Sequence, residues 1–95
     1  MLMPKLDSIE DRELADIQQA LGTAAMSSNL TGEYDDRILQ PIRERMRGLK
    51  LKGGKAKLQR EAQAMLDSMS GPVDHQAFHG LGNVLFRMRS ADHVT

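Results

Sequence analysis

Apolar residues return at helical intervals along most of this chain. Ile9, Leu14, Ile17, Leu21 and Ala24 recur every three to five residues, with Ala20 and Ala25 beside them, and predict a first amphipathic helix. Asp7 and Glu10 have capping-box spacing at its start, with Asp in the Ser/Thr position. The acids Asp7, Glu10, Asp11 and Glu13 sit in its first two turns, where the helix dipole favours them. The run Ser27-Ser28-Asn29-Leu30-Thr31-Gly32 suits a loop, so the helix is expected to end near Met26 to Ser28.

A second stripe, Tyr34, Ile38, Ile42 and Met46, predicts a helix beginning near Thr31 to Glu33. Pro41 falls within it and removes a hydrogen bond from any helix that passes through. One kinked helix keeps the stripe whole; the alternative starts a separate helix at Pro41 and runs to about Arg47. Leu49 to Lys52 alternates apolar and basic residues but is too short to build a sheet and has no second strand to pair with. Leu58, Ala62, Met65, Leu66 and Met69 predict a third helix from about Lys55 to Met69, stopped by Ser70-Gly71-Pro72. Asp74 then caps a fourth. Val73 and Phe78 form its hydrophobic staple, and Phe78, Leu81, Leu85 and Met88 form its stripe, widened by Ala77 and Val84. Gly80 and Gly82 are out of place in a helix interior unless another chain segment passes close by. The expectation is an all-α protein: one domain over residues 1–95, a small four-helix bundle ordered over about 7–89. It has a kink at Pro41, a flexible Gly53-Gly54 connection, frayed ends and no internal repeat.

Charge changes this picture most. The chain is formally neutral, but Arg43, Arg45, Arg47, Lys50, Lys52, Lys55, Lys57 and Arg60 concentrate eight of its thirteen basic residues in one tract. Most of the acids precede Arg37. The two segments can pair within one chain, between copies, or with a charged partner. Composition adds a second constraint. A chain of 95 residues buries only about 60–65% of its unfolded surface. With three aromatics and no Trp, its core rests on Leu, Ile, Ala and seven Met. Self-association is a natural way for such a chain to gain burial.

The absence of Cys excludes disulfides and thiolate chemistry. No apolar run approaches a membrane span, and the first residues do not read as a signal peptide, so a cytoplasmic protein with no membrane partner is expected. Asn29-Leu30-Thr31 is formally a glycosylation sequon and reads as a turn.

Candidate chemistry is sparse. His75 and His79 have the spacing of two metal ligands on a helix, but Gln76 stands where a zinc protease carries its general base. Asp74 or His93 would have to complete a metal site, and two ordinary solvent-facing histidines are the expectation. Gly53-Gly54-Lys55 invites comparison with a phosphate-binding loop. Leu49 replaces that motif's first Gly, however, and Ala56 replaces the hydroxyl that holds magnesium. The glycine amides and surrounding lysines still suit an anion. Asp35 and Asp36 are adjacent and diverge on a helix, so they do not form a carboxylate pair.

No enzyme and no cofactor are expected. The leading reading is a protein-interaction module: an adaptor, regulator, chaperone or inhibitor of a larger assembly. It docks another protein, or a second copy, through Arg43, Arg47, Lys50, Lys52, Lys55, Lys57 and Arg60 and through Met/Leu-rich helix faces. The alternative is a nucleic-acid binder using Arg43 to Arg60 for phosphate contacts. Against it, the tract has no aromatic stacking platform, and the Leu49 to Gly54 connection is longer than a helix-turn-helix turn.

Overall fold

The computed structural model describes residues 9–90, with the side chain of Ser90 excepted; Asp7 and His93 lie outside this range. Four helices follow in order: α1 (Ile9–Thr31), α2 (Asp36–Arg47), α3 (Gly53–Ser68) and α4 (His75–Ser90). Each packs against the next and α4 closes the ring against α1, giving an all-α four-helix bundle. No strand occurs among the described residues.

The core is the set of stripes turned inward. Leu14, Ile17, Leu21 and Ala24 of α1 meet Leu39, Ile42 and Met46 of α2. Leu58, Ala62 and Leu66 of α3, with Met69 just beyond it, and Leu81, Val84, Leu85 and Met88 of α4 complete it. Three buried methionines supply volume that aromatic rings would otherwise supply.

Several boundaries differ from expectation. The first helix runs through the expected loop to Thr31. Ser28 continues the buried stripe, and the Thr31 hydroxyl donates to the Ser27 carbonyl at 3.2 Å instead of opening a turn. Gly32, at φ 80°, ends the helix in the left-handed conformation and donates its N–H to the Ser28 carbonyl at 2.7 Å. The second helix therefore starts later, at Asp36, capped by the Asp35 side chain, which accepts from the Arg37 N–H. Tyr34 falls in the turn, not on the helix.

The buried side of α2 is also rotated from the expected stripe. Leu39, Ile42, Arg43 and Met46 face inward, and Ile38 is only partly buried. The helix is continuous through Pro41, so no separate second helix forms. Pro41 lies on the exposed side, and the carbonyl it deprives belongs to exposed Arg37, where water can compensate. In α3, Gly53 and Gly54 are not a connection between helices but the first two helical positions, and Gly53 takes φ 60°, which side chains resist.

The turns α1–α2 and α3–α4 meet at one end of the bundle and are built alike. Gly32 and Gly71 both have positive φ, and Asp35 and Asp74 each cap the following helix. An isolated antiparallel bridge pairs Glu33 with Pro72. The Tyr34 N–H donates to the Gly71 carbonyl and the Val73 N–H to the Gly32 carbonyl, both at 3.0 Å. Tyr34 locks the junction: its hydroxyl donates to the Asp74 carbonyl at 3.1 Å and accepts from the Asp74 N–H at 2.9 Å. Its ring lies 5.7 Å from that of Phe78. With both turns at one end, the helices run up, down, up, down, and Gly48 to Lys52 crosses the opposite end. Tyr34→Phe keeps the ring and removes both hydroxyl bonds. It should lower unfolding free energy by about 1–2 kcal/mol, read from urea unfolding, with helical content by far-UV circular dichroism unchanged.

Candidate interaction surface

The basic tract separates into residues that hold the bundle together and residues that face solvent. Arg43 belongs to the first group. It is only 8% exposed, and its Nε donates to the Leu66 carbonyl at 3.0 Å and its Nη2 to the Met69 carbonyl at 2.8 Å. The last carbonyls of a helix have no partners within it. Arg43 of α2 supplies a donor to Met69 and a second one to Leu66, whose carbonyl also accepts from the Met69 N–H at 3.2 Å, while its Nη1 reaches Asp36 and Gln40 at 3.1 and 3.2 Å. Gln59 returns the service: its Nε2 donates to the carbonyls of Met46 and Leu49, at 2.7 and 2.9 Å, where α2 ends. Arg43 was expected among the contact residues; the structure uses it as an internal cap.

Two further cations turn toward the acidic first helix. Arg45 Nη2 lies 3.3 Å from Glu13 Oε2 and 3.3 Å from Asp16 Oδ2. Lys55 Nζ lies 4.0 Å from Asp11 Oδ1, with both side chains largely covered. Lys55 is therefore committed to α1 and does not join the exposed lysines around the first turn of α3. Arg47 is half-exposed and meets Asp67 at 3.6 Å.

Lys50, Lys52, Lys57 and Arg60 remain. All four are exposed, and none has a carboxylate among the described residues within 4.0 Å. Lys50 and Lys52 lie on the α2–α3 connection, Lys57 and Arg60 on the outer side of α3. Next to Lys50 a cleft of about 410 Å³ opens between α1 and the connection, walled by Glu10 and Glu13 on one side and Arg45 on the other. Its floor includes Leu49 and the exposed Ile9. Across it Arg45 pairs with Glu13 at 3.3 Å.

The remaining candidates occupy other places. His75 and His79 are exposed beside Asn29 and Phe78, along a shallow hollow of about 280 Å³ between α1 and α4. Asp74 is occupied as a helix cap, its Oδ1 accepting from the Gln76 N–H at 3.0 Å. Among the described residues, no three His, Asp or Glu side chains converge as metal ligands.

Sequence reasoning missed the capping roles of Arg43 and Gln59. It also missed the apolar residues left on the surface, Ile9, Met26, Leu30 and Phe86. For Arg43 the available signal was its position: it lies on the same helical side as Leu39, Ile42 and Met46.

The fold is a compact all-α four-helix bundle. No family model matches the chain, and no curated protein and no solved structure matches it either. No helix among the described residues is long and apolar enough to cross a membrane.

The division of the tract has a direct consequence for stability. Arg43→Ala removes the buried bonds to the Leu66 and Met69 carbonyls, of which Leu66 keeps the Met69 N–H, and should cost about 3 kcal/mol; Arg43→Lys, which cannot fork to both, should cost roughly half of that. Lys57→Ala and Arg60→Ala should each stay within about 0.5 kcal/mol of wild type. Thermal and urea unfolding of the four variants checks the ordering. Equal costs for all four variants would refute the division.

Proposed function

We propose that this chain is a non-enzymatic helical interaction module, a cytoplasmic adaptor or regulator that docks an acidic surface of another protein. Lys50, Lys52, Lys57 and Arg60 make the contact, with Arg47 at its margin. The observation behind this reading is the split within the tract. Arg43, Arg45 and Lys55 are turned inward or onto α1, whereas these four cations are exposed with no carboxylate among the described residues within 4.0 Å. A cluster of uncompensated charge raises association rate and selects partners of opposite sign. The bundle also self-associates through its exposed apolar residues, which the small core leaves uncovered.

Nucleic acid would use the same cations for phosphate contacts. The distribution of rings argues against a single strand. Tyr34 and Phe78 meet at the end of the bundle opposite the α2–α3 connection, and Phe86 is on α4. Reversal of Lys50, Lys52, Lys57 and Arg60 to Glu separates the two readings. Partner capture should be lost with the melting curve unchanged, and wild type should show little affinity for random DNA or RNA at low salt. Tight, salt-sensitive binding of wild type to random nucleic acid, abolished by the same reversal, would overturn the proposal in favour of a phosphate binder.

A further inference from the structure

We infer that the α2–α3 connection takes up an extended acidic segment of the partner as an added strand, antiparallel to residues 49–52, with carboxylates on Lys50 and Lys52. This rests on the proposed docking of an acidic protein, and it specifies the backbone conformation and residue pattern that the connection accepts.

Residues 49–52 alternate in burial as an extended chain does. Leu49 is buried, Lys50 exposed, Leu51 partly buried against the core and Lys52 exposed. Lys52 has φ −129° and ψ 159°. In an extended segment the N–H and C=O of successive residues point to opposite edges. One edge is occupied by the bundle itself. The Leu49 N–H donates to the Met46 carbonyl at 3.3 Å, and the Leu49 carbonyl accepts from Gln59 Nε2 at 2.9 Å. Lys50 and Lys52 therefore turn their backbone groups the other way. Among the described residues neither N–H has an acceptor, and the Lys50 carbonyl has no donor. The Lys52 carbonyl accepts from the Ala56 N–H at 3.4 Å and keeps a second lone pair. This edge is open.

Charge and shape select what pairs with it. Residues directly opposite in an antiparallel pair carry their side chains on the same face. Those opposite Lys50 and Lys52 meet two exposed ammonium groups with no carboxylate within 4.0 Å among the described residues, so acids suit both places. The residues opposite Leu49 and Leu51 fall on the other face, where apolar side chains suit. Leu49 and Ile9 floor the neighbouring cleft of about 410 Å³. Glu10 on its wall has no cation within 4.0 Å among the described residues, so an acid placed there would be repelled. The segment that fits alternates acidic and apolar residues.

Other occupants fit this edge less well. Two copies pairing through it would set lysine against lysine, and like charges directly opposite are destabilising. Lysines on an exposed edge guard against self-pairing in just this way, and the same lysines admit a strand of opposite charge. A helix has already used its backbone groups internally, and nucleic acid has no peptide edge to offer. Strand addition draws affinity from main-chain hydrogen bonds and specificity from alternate side chains. Both are present on residues 49–52.

Two-dimensional NMR titration of the full chain with a capped peptide, acetyl-Val-Glu-Val-Glu-Val-amide, tests this. Two isomers of equal charge accompany it. One is N-methylated at both Glu, whose amides face the connection in the inferred pairing; the other is N-methylated at the central and last Val, whose amides face away. The unmodified and Val-methylated peptides should bind comparably, and the Glu-methylated one should bind about 10-fold more weakly or worse. Amide exchange at Lys50 and Lys52 should slow on binding, with Leu51 unchanged. The double variant Lys50→Glu with Lys52→Glu should lose all three peptides. Equal affinity for the two methylated isomers overturns strand addition and leaves docking by charge standing. Failure of the unmodified peptide to bind also overturns strand addition, while the acidic-partner reading is decided separately by partner capture with the four-site charge reversal. Peptide binding that survives Lys50→Glu with Lys52→Glu overturns this edge and removes both lysines from the proposed surface.

Discussion

The guanidinium of Arg43 ties α2 to the C-terminal end of α3 from within the bundle. Helix α2 is twelve residues long and contains Pro41, and α3 begins with two glycines, so neither has high intrinsic helical stability. Their union relies on reciprocal capping. Arg43 reaches from α2 to the final carbonyls of α3, and Gln59 reaches from α3 to the final carbonyls of α2. Each helix adds donors to an end that its neighbour satisfies only in part through the local N–H groups of Leu49 and Met69. A buried cation held by carbonyl oxygens and one carboxylate is well compensated, but its geometry leaves little room for a substitute.

That arrangement decides what the surface can offer. A tract with eight cations looks uniform along the chain, yet the bundle assigns its members to different tasks. One is an internal cap, two bind the acidic first helix, one meets an acid on α3, and four are left to solvent. Internal pairing between α1 and the tract removes charge from both segments. The proposed binding surface is accordingly smaller than the tract and centred on the α2–α3 connection and the outer side of α3.

The opposite flank follows a different logic. There Arg89 donates to the neutral Gln18 at 2.8 Å, and Met26 and Phe86 are exposed. A protomer that self-associates through exposed apolar residues keeps its basic end free. The two proposed contacts therefore do not compete. In such a pair the charged surfaces would stand apart on separate protomers, an arrangement suited to gripping an extended acidic partner at two points.

The sequence alone determined the class of object. The periodicity of Leu14-Ile17-Leu21-Ala24, of Leu58-Ala62-Leu66 and of Leu81-Leu85-Met88 is local, and a stripe of that spacing can bury itself only as a helix. The Asp74 cap and the Gly71-Pro72 stop were legible for the same reason, because caps act within a few residues. What the tertiary structure decided depended on neighbours distant in the chain. Thr31 stays helical because Ser28 lies on the buried side. Tyr34 leaves the helix because its hydroxyl finds the backbone of Asp74, forty residues on. Arg43 and Lys57 are chemically alike in sequence, and nothing local distinguishes them. One became a buried cap and the other an exposed charge because α2 turns Arg43 toward the carbonyl end of α3, whereas Lys57 faces water. A charge's role is set by what lies across the interface from it, and that is known only once the helices have packed.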